Sequence, residues 1–287
     1  MYLSRWLMGF IFFISFSLKA NEESVNTQPR YITLAPHIIE MLFKLEVGDR
    51  VVATTSHSDF PEQAKHVPII GNYARLKIED ILAYQPDIVF AWNTGNPADD
   101  LARLKQLGVN IVYSDPKTLE DVAKELRIFG ELVGKSALAE KVALAYEQRL
   151  NAIKQRYQDK QTLKAFYELW SRPLTTVAKN AWPQQHLTIC GVSNPFINGI
   201  SDYPQVNVEQ VVIADPEIII QPMSAGEPNP DAVNWHKWKS MTAVKHGIIL
   251  QPNSDKLHRM STRMLDELDE LCAGIDNVRL KYFNHNG

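Results

Sequence analysis

The 287 residues contain no GxSxG nucleophile elbow, no P-loop, no GxGxxG turn after a strand and no HExxH pair. Those gaps remove the commonest local signatures of acyl transfer, nucleotide binding and zinc-assisted hydrolysis. Cysteine is nearly absent: Cys190 and Cys272 are the only two, and no CxxC occurs, so a zinc ribbon or dithiol redox centre lacks its ligands. The eight histidines are scattered without the i, i+4 pairing of a helix-borne zinc site, so no dedicated metal site is expected. Positive charge is not concentrated anywhere either. With a formal net charge of −3 and no Lys/Arg-dense stretch, the chain lacks the basic footprint that nucleic acid requires.

What is present begins at the N-terminus. Residues 1–20 carry Arg5, an apolar run from Leu7 to Leu18 broken only by Gly9 and serines, and then Lys19-Ala20. A run of about twelve apolar residues is too short to span a bilayer but suits a secretory signal peptide, with cleavage expected after Ala20. The alternative is an uncleaved N-terminal anchor; no cysteine lies near the segment to carry a lipid. Removing Arg5 and Lys19 takes the formal charge from −3 to −5, leaving a mildly acidic chain. Export also changes how the cysteines are read. An even count in an oxidising compartment favours a Cys190–Cys272 disulfide over two buried thiols.

The chain then says one thing twice. Tyr73 to Phe90 aligns without a gap on Tyr203 to Ile220, pairing Tyr73 with Tyr203, Glu79 with Glu209, Pro86 with Pro216 and Ile88 with Ile218. Each copy reads as an aromatic loop, a short helix, a turn at proline and a buried strand. Such a unit, repeated once and far apart, predicts two similar lobes facing a cleft, where ligands usually sit. Around the copies, strands are predicted at 31–34, 51–55, 87–92, 110–113, 164–170 and 247–250, and helices at 38–45, 78–84, 99–107, 118–132, 183–189 and 261–273. This alternation implies an α/β fold of mostly parallel sheets flanked by helices. Between the copies, residues 136–157 contain no Pro or Gly and are rich in good helix formers. They predict a rod of about 33 Å able to join the lobes. The expected division is an N-terminal lobe at 21–135, a connecting helix at 136–158 and a C-terminal lobe at 159–287.

Candidate binding residues lie at strand ends, where ligands bind in open α/β sheets. Trp92 and Trp170 close two predicted strands, and Tyr73 and Tyr203 precede the two repeat helices. Aromatic residues converging on a cleft suit a large, flat, partly apolar ligand; each tryptophan has ordinary core or rim packing as its alternative.

Several segments, taken in order, resemble the helical-backbone class of periplasmic substrate-binding proteins, which feed ABC importers of metal-chelate nutrients. They are Arg30-Tyr-Ile-Thr-Leu-Ala-Pro with Glu40 shortly after, Ser58-Asp-Phe-Pro61, Pro86-Asp-Ile-Val-Phe-Ala-Trp92 with Gly95-Asn96, and Cys190-Gly. Gln205-Val206, Glu209-Gln210-Val211, and Ser254-Asp255 followed by Arg259 and Arg263 complete the set. The resemblance covers essentially residues 30–275. It implies a ligand held between the lobes, with Tyr73 and Trp92 on one side and Trp170, Tyr203, Asp255 and Arg259 on the other. It also implies periplasmic location, a monomer, no cofactor, and a corrinoid such as cobalamin as the transported cargo. Three departures stand out: His57 replaces an aromatic, Tyr73 replaces a tryptophan, and Lys256-Leu-His258 lacks the family's aromatic and acid. His57 and His258 are candidates to reach a metal in the ligand, against the plainer reading of solvated loop histidines.

Glu79 and Glu209 occupy the first turn of the two repeat helices, where the helix dipole favours an acid in any protein. The resemblance implies more: one acid per lobe tip, engaging arginines of an ABC permease in the inner membrane. Two other readings remain at this stage. One is the same fold carrying haem or an iron siderophore, with Tyr73 as an iron ligand. The other is a secreted two-lobed α/β enzyme, for which no convincing pair of titrating side chains can be named; the chain is not expected to be an enzyme.

Overall fold

A computed structural model describes residues 28–224, 227 and 229–283, so the expected signal peptide lies outside the described residues. In chain order, the first half comprises β1 (Tyr31–Thr33), α1 (Pro36–Lys44), β2 (Val51–Thr54), α2 (Ile78–Ala83), β3 (Ile88–Trp92), α3 (Ala98–Gln106), β4 (Ile111–Ser114) and α4 (Asp121–Leu132). The long helix α5 (Ser136–Tyr157) follows. The second half comprises β5 (Leu163–Tyr167), β6 (Trp170–Ser171), β7 (Leu174–Thr175), α6 (Trp182–Ile189), β8 (Val192–Ser193) and α7 (Val208–Ala214). It closes with β9 (Ile218–Ile220), α8 (Thr242–His246), β10 (Ile249–Leu250), α9 (Ser254–Leu257) and α10 (Met264–Val278).

Each half builds one parallel sheet. The first runs β2-β1-β3-β4 and the second β10-β9-β5-β8. Counted from the first strand of its own half, each sheet has the same order, second-first-third-fourth. The repeat reaches down to single hydrogen bonds. In the first lobe Arg30 donates its backbone N–H to Asp87 (2.7 Å) and its Nε to the Tyr84 carbonyl (2.7 Å). In the second, Lys164 donates its N–H to Glu217 (2.7 Å) and its Nζ to the Ala214 carbonyl (2.9 Å). Asp87 and Tyr84 lie 130 positions before Glu217 and Ala214. The residues just before the two prolines, Gln85 (φ 46°) and Asp215 (φ 44°), both turn left-handed. Proline disfavours the ordinary helical conformation in the residue ahead of it, which makes this a sharp exit from the helix.

Side-chain alternation along the strands sorts the core. Tyr31, Phe90, Ala165, Tyr167, Ile218 and Ile220 join one continuous apolar cluster that runs through both lobes and along α5. The intervening residues face outward into smaller clusters: Ile32, Val89 and Ala91 under α2 and α3, and Phe166 and Ile219 against Trp235. Helix α5 buries Ala139, Ala143, Tyr146, Leu150, Ile153 and Tyr157, a single stripe at alternating spacings of four and three. The N-terminal part of the stripe meets α4, where a Cβ at Gly130 would come within 2.1 Å of the Ala139 Cβ, so glycine permits the close approach. Toward the C-terminus Arg156 pairs with Asp269 of α10 at 2.9 Å, and Arg149 pairs with Asp266. The long helix thus joins two lobes, as the sequence predicts.

Cys190 and Cys272 are disulfide-bonded, tying the end of α6 to α10 with a Cα–Cα distance of 4.7 Å. Several elements differ from expectation: α4 begins at Asp121 rather than 118, β10 at Ile249 rather than 247, and β8 and α8 have no predicted counterpart. The strand expected at 164–170 ends at Tyr167, because Glu168 turns the chain into a separate β6–β7 hairpin. The last helix begins at Met264 rather than 261 and runs to Val278, with α9 preceding it. Among the described residues no helix is long and apolar enough to cross a membrane.

Candidate functional site

Trp92 ends β3 with its ring at the mouth of the first sheet. The Trp92 backbone N–H donates to Asn96 Oδ1 (2.7 Å), and Asn96 Nδ2 donates to the Leu34 carbonyl (2.8 Å), so the turn is clamped to the end of β1. A Cβ at Gly95 would sit 1.8 Å from Trp92 Cε3; only glycine lets the indole fold over its own turn. From behind, His37 packs edge-on at 5.5 Å between ring centroids. Ser114 Oγ donates to Glu125 (2.7 Å) and accepts from His37 Nε2 (2.9 Å), fixing the neutral tautomer. Burial, helped by the charge of Arg259, pushes the His37 pKa down to about 3.

Two neighbouring loops flank this mouth. Tyr73 is 76% exposed on a turn in which Asn72 Oδ1 accepts the N–H groups of Ala74 and Arg75. His57 is exposed on the loop after β2 in a left-handed conformation (φ 67°). Ser56 N–H donates to the Gly71 carbonyl (3.0 Å), stitching the His57 loop to the Tyr73 loop.

In the second lobe Trp170 (58% exposed) and Tyr203 lie together, ring centroids 6.4 Å apart. Trp170 does not close β5; it opens the hairpin. Glu168 fixes that hairpin as a buried carboxylate accepting from Ser171 Oγ (2.7 Å), Gln221 Nε2 (2.9 Å), Val233 N–H (3.0 Å) and Trp235 Nε1 (2.6 Å). Asp255 accepts from Ser224 Oγ at 3.1 Å. His258 is drawn inward, its Nε2 2.7 Å from the Tyr167 hydroxyl, and burial brings its pKa to about 4.

Between the lobes runs a charged seam. Glu40 of α1 is 5% exposed and accepts from Arg259 Nη1 (3.0 Å), Arg263 Nη2 (2.6 Å) and Ser261 Oγ. Arg259 also donates to Asp59 (2.6 Å), and the Arg263 guanidinium lies 4.0 Å over the Phe60 ring. Burial opposes ionisation of Asp59, but the hydrogen bond and charge of Arg259 outweigh it and hold the carboxyl below its ordinary range. The position of Arg259 therefore differs from a free cleft side chain: it is 8% exposed and committed to two acids of the other lobe. A cavity of about 1080 Å³ opens beside the seam, lined by Glu40, Phe43, Phe60, Lys141, Tyr146 and Arg263 among others. None of Tyr73, Trp92, Trp170 and Tyr203 lines it.

Glu79 and Glu209 both project into solvent from the first turns of α2 and α7. Glu79 meets Arg103 at 3.2 Å, whereas Glu209 has no partner among the described residues. Among the described residues no three or more His, Cys, Asp or Glu side chains converge as a metal site would require. The structure thus stitches the Tyr73 loop to the His57 loop through backbone, sets Trp170 beside Tyr203, and engages His258 and Arg259 in internal bonds. The sequence reading missed the Glu168 hub and the Glu40 seam; nothing in a lone Glu after a strand or on a helix marks it as buried and multiply bonded.

The family described as periplasmic binding protein matches residues 32–252. The vitamin B12-binding protein of Vibrio campbellii is 36% identical over 253 residues, covering 88% of this chain and 91% of that one. That of Vibrio cholerae is 33% identical over 248 residues, covering 85% and 88%. The crystal structure of the periplasmic vitamin B12 binding protein BtuF of Vibrio cholerae superposes with a TM-score of 0.79 at 31% identity, covering 87% of this chain and 97% of that one. The periplasmic heme-binding protein RhuT from Roseiflexus shares the fold, with a TM-score of 0.78 at 20% identity, covering 88% and 99%. With its two parallel-sheet lobes, its connecting helix and a family match over most of its length, the chain belongs to the periplasmic binding protein family, a family of carriers rather than enzymes.

Proposed function

We propose that this chain is the periplasmic component of an ABC importer, capturing a corrinoid, vitamin B12, between its lobes and delivering it unchanged to the permease. The observation that carries the reading is the 36% identity to a vitamin B12-binding protein across 88% of the chain. The aromatic mouth supports it independently. Tyr73 and Trp92 on one lobe and Trp170 and Tyr203 on the other offer apolar faces to a large flat ring system, and Asp255 offers a polar contact at the rim. Arg259 serves through position, holding Asp59 and the His57 loop against the second lobe. Residues 1–20 act as the export signal. From the first turns of α2 and α7, Glu79 and Glu209 meet cationic residues of the permease, one acid per lobe.

Capture needs little motion. Helix α5 fixes the separation of the lobes, and the Glu40 seam braces them a second time, so closure on the ligand is modest. The test is calorimetric titration of the exported, purified protein with cyanocobalamin. One-to-one binding below micromolar supports the reading; no heat, with an intense Soret band in the purified protein, would transfer the site to haem.

A further inference from the structure

Helix α5 carries a second stripe besides the one that it buries in the core. Leu138, Val142 and Ala145, with Lys141 and Arg149 beside them, recur at the three- and four-residue steps of one helix face. That face lines the cavity of about 1080 Å³ beside the seam, to which Phe43 of α1, Phe60 and Leu265 of α10 add further apolar walls. Small-molecule sites usually enclose roughly 300–1,000 Å³, so the space suits a ligand rather than a few waters.

The charged residues around this cavity pair off unevenly. Arg149 meets Asp266, Arg263 meets Glu40 (2.6 Å), and Glu46 meets Lys135 (3.9 Å), so every acid that lines it is engaged. Lys256 meets Glu267 (3.4 Å). Lys44 and Lys141 also line it, both exposed, and neither has an acidic partner among the described residues. Two ammonium groups without counter-ions therefore border an apolar stripe, and a cleft with low-dielectric walls strengthens their pull on an anion.

We infer that this cavity is a second ligand site, taking an amphipathic carboxylate whose chain lies along Leu138, Val142 and Ala145 and whose head meets Lys44 and Lys141. The lining selects that class. With its acids engaged, the cavity offers a cation nothing to meet. Both arginines that line it are committed to carboxylates, so the planar fork that favours phosphate is not free. An apolar floor gives a small hydrated anion no return for its lost water, whereas it rewards a hydrocarbon chain. The inference is independent of the corrinoid reading, because none of the four aromatics of the mouth lines the cavity.

The test is calorimetric titration of the exported, purified protein with decanoate, first empty and then saturated with cyanocobalamin. A single equivalent should bind in both states, and decanol, the same chain without the charge, should bind about fivefold more weakly. Lys44→Gln combined with Lys141→Gln should weaken decanoate by about fivefold and leave decanol unchanged. Lys105→Gln with Lys245→Gln, exposed lysines outside the cavity, should alter neither ligand. Ala145→Glu sets an acid on the stripe and should weaken decanoate at least about tenfold. Thermal melts verify that each variant is folded, and each should bind cyanocobalamin as the parent does. No saturable binding of decanoate, its displacement by cyanocobalamin, or an affinity that survives either the lysine pair or Ala145→Glu overturns the inference. Failure of cyanocobalamin to bind overturns the corrinoid reading alone, since the decanoate titrations then stand on the empty protein.

Discussion

Glu40 and Arg259, 219 residues apart in the chain, share a hydrogen bond of 3.0 Å across the seam between the lobes, and both are almost wholly buried. Removing one partner unbalances the seam, but Asp59 still holds Arg259 and Arg263 still holds Glu40, so the cost lies below the about 3–5 kcal/mol of a wholly stranded buried charge. Glu40→Gln and Arg259→Met should each lower stability within that limit in urea melts. The double variant should lose less than the sum, because both single changes break the same Glu40–Arg259 bond.

Two histidines predict how stability responds to acid. Burial holds both His37 and His186 down to about 3, against 6.5 when exposed. Between those values the unfolded chain binds protons that the folded chain refuses, so stability falls as pH drops through 6.5 and continues to fall toward 3. Each group contributes a slope of at most about 1.4 kcal/mol per pH unit. Neither ring nitrogen of His186 has a hydrogen-bond partner among the described residues, so His186→Leu should flatten the slope between pH 6 and 4 and leave the protein more stable than the parent at pH 5. Equilibrium unfolding at a series of pH values reads it directly.

The Cys190–Cys272 bridge spans 82 residues of the second lobe. Replacing both by alanine should cost about 2–5 kcal/mol, and reductant should lower the melting temperature of the parent but not of the variant.

Gly95 offers a test of the aromatic mouth that leaves every proposed contact residue in place. A methyl group there lies 1.8 Å from the Trp92 ring, so Gly95→Ala must push the indole off its turn. Overpacking of this kind costs about 1–3 kcal/mol, and cobalamin affinity should fall by about tenfold or more as the ring leaves the mouth. Unchanged affinity would remove Trp92 from the binding surface.

Docking is expected to be uneven. Glu79 is shared with Arg103, whereas Glu209 is unpaired among the described residues and lies one turn from Ile213, which is 83% exposed. Glu209→Lys should therefore reduce cobalamin uptake by whole cells more than Glu79→Lys, and the double variant should abolish it while the purified protein still binds ligand. A double variant that loses ligand affinity would place the acids in the binding site instead.

Much of this architecture is legible in the sequence because local signals and tertiary needs agree. The 136–157 helix has its expected ends, since a run free of Pro and Gly has no reason to break earlier, and Gly134 and the Gln158 turn bound it. The repeat predicts α2, α7, β3 and β9 because Pro86 and Pro216 force the same exit from each helix. Trp170 was harder to read: an apolar run continuing through Leu169 looks like one strand, and only the four bonds converging on Glu168 end it at Tyr167. The seam was illegible for a different reason. Glu40 and Arg259 carry no spacing that relates them, and their burial follows from how two separately folded lobes meet.

The matched bonds of Arg30 and Lys164 show two halves meeting one folding need in the same way: a basic residue pins an acid and a helix carbonyl, Asp87 and Tyr84 in one lobe, Glu217 and Ala214 in the other. Two separate halves would meet at a rate set by their concentration. The 22-residue α5 makes that meeting intramolecular, replacing dilution with a tether. Tethered halves need not be identical, so Glu40 can stand in one and Arg259 in the other to receive it.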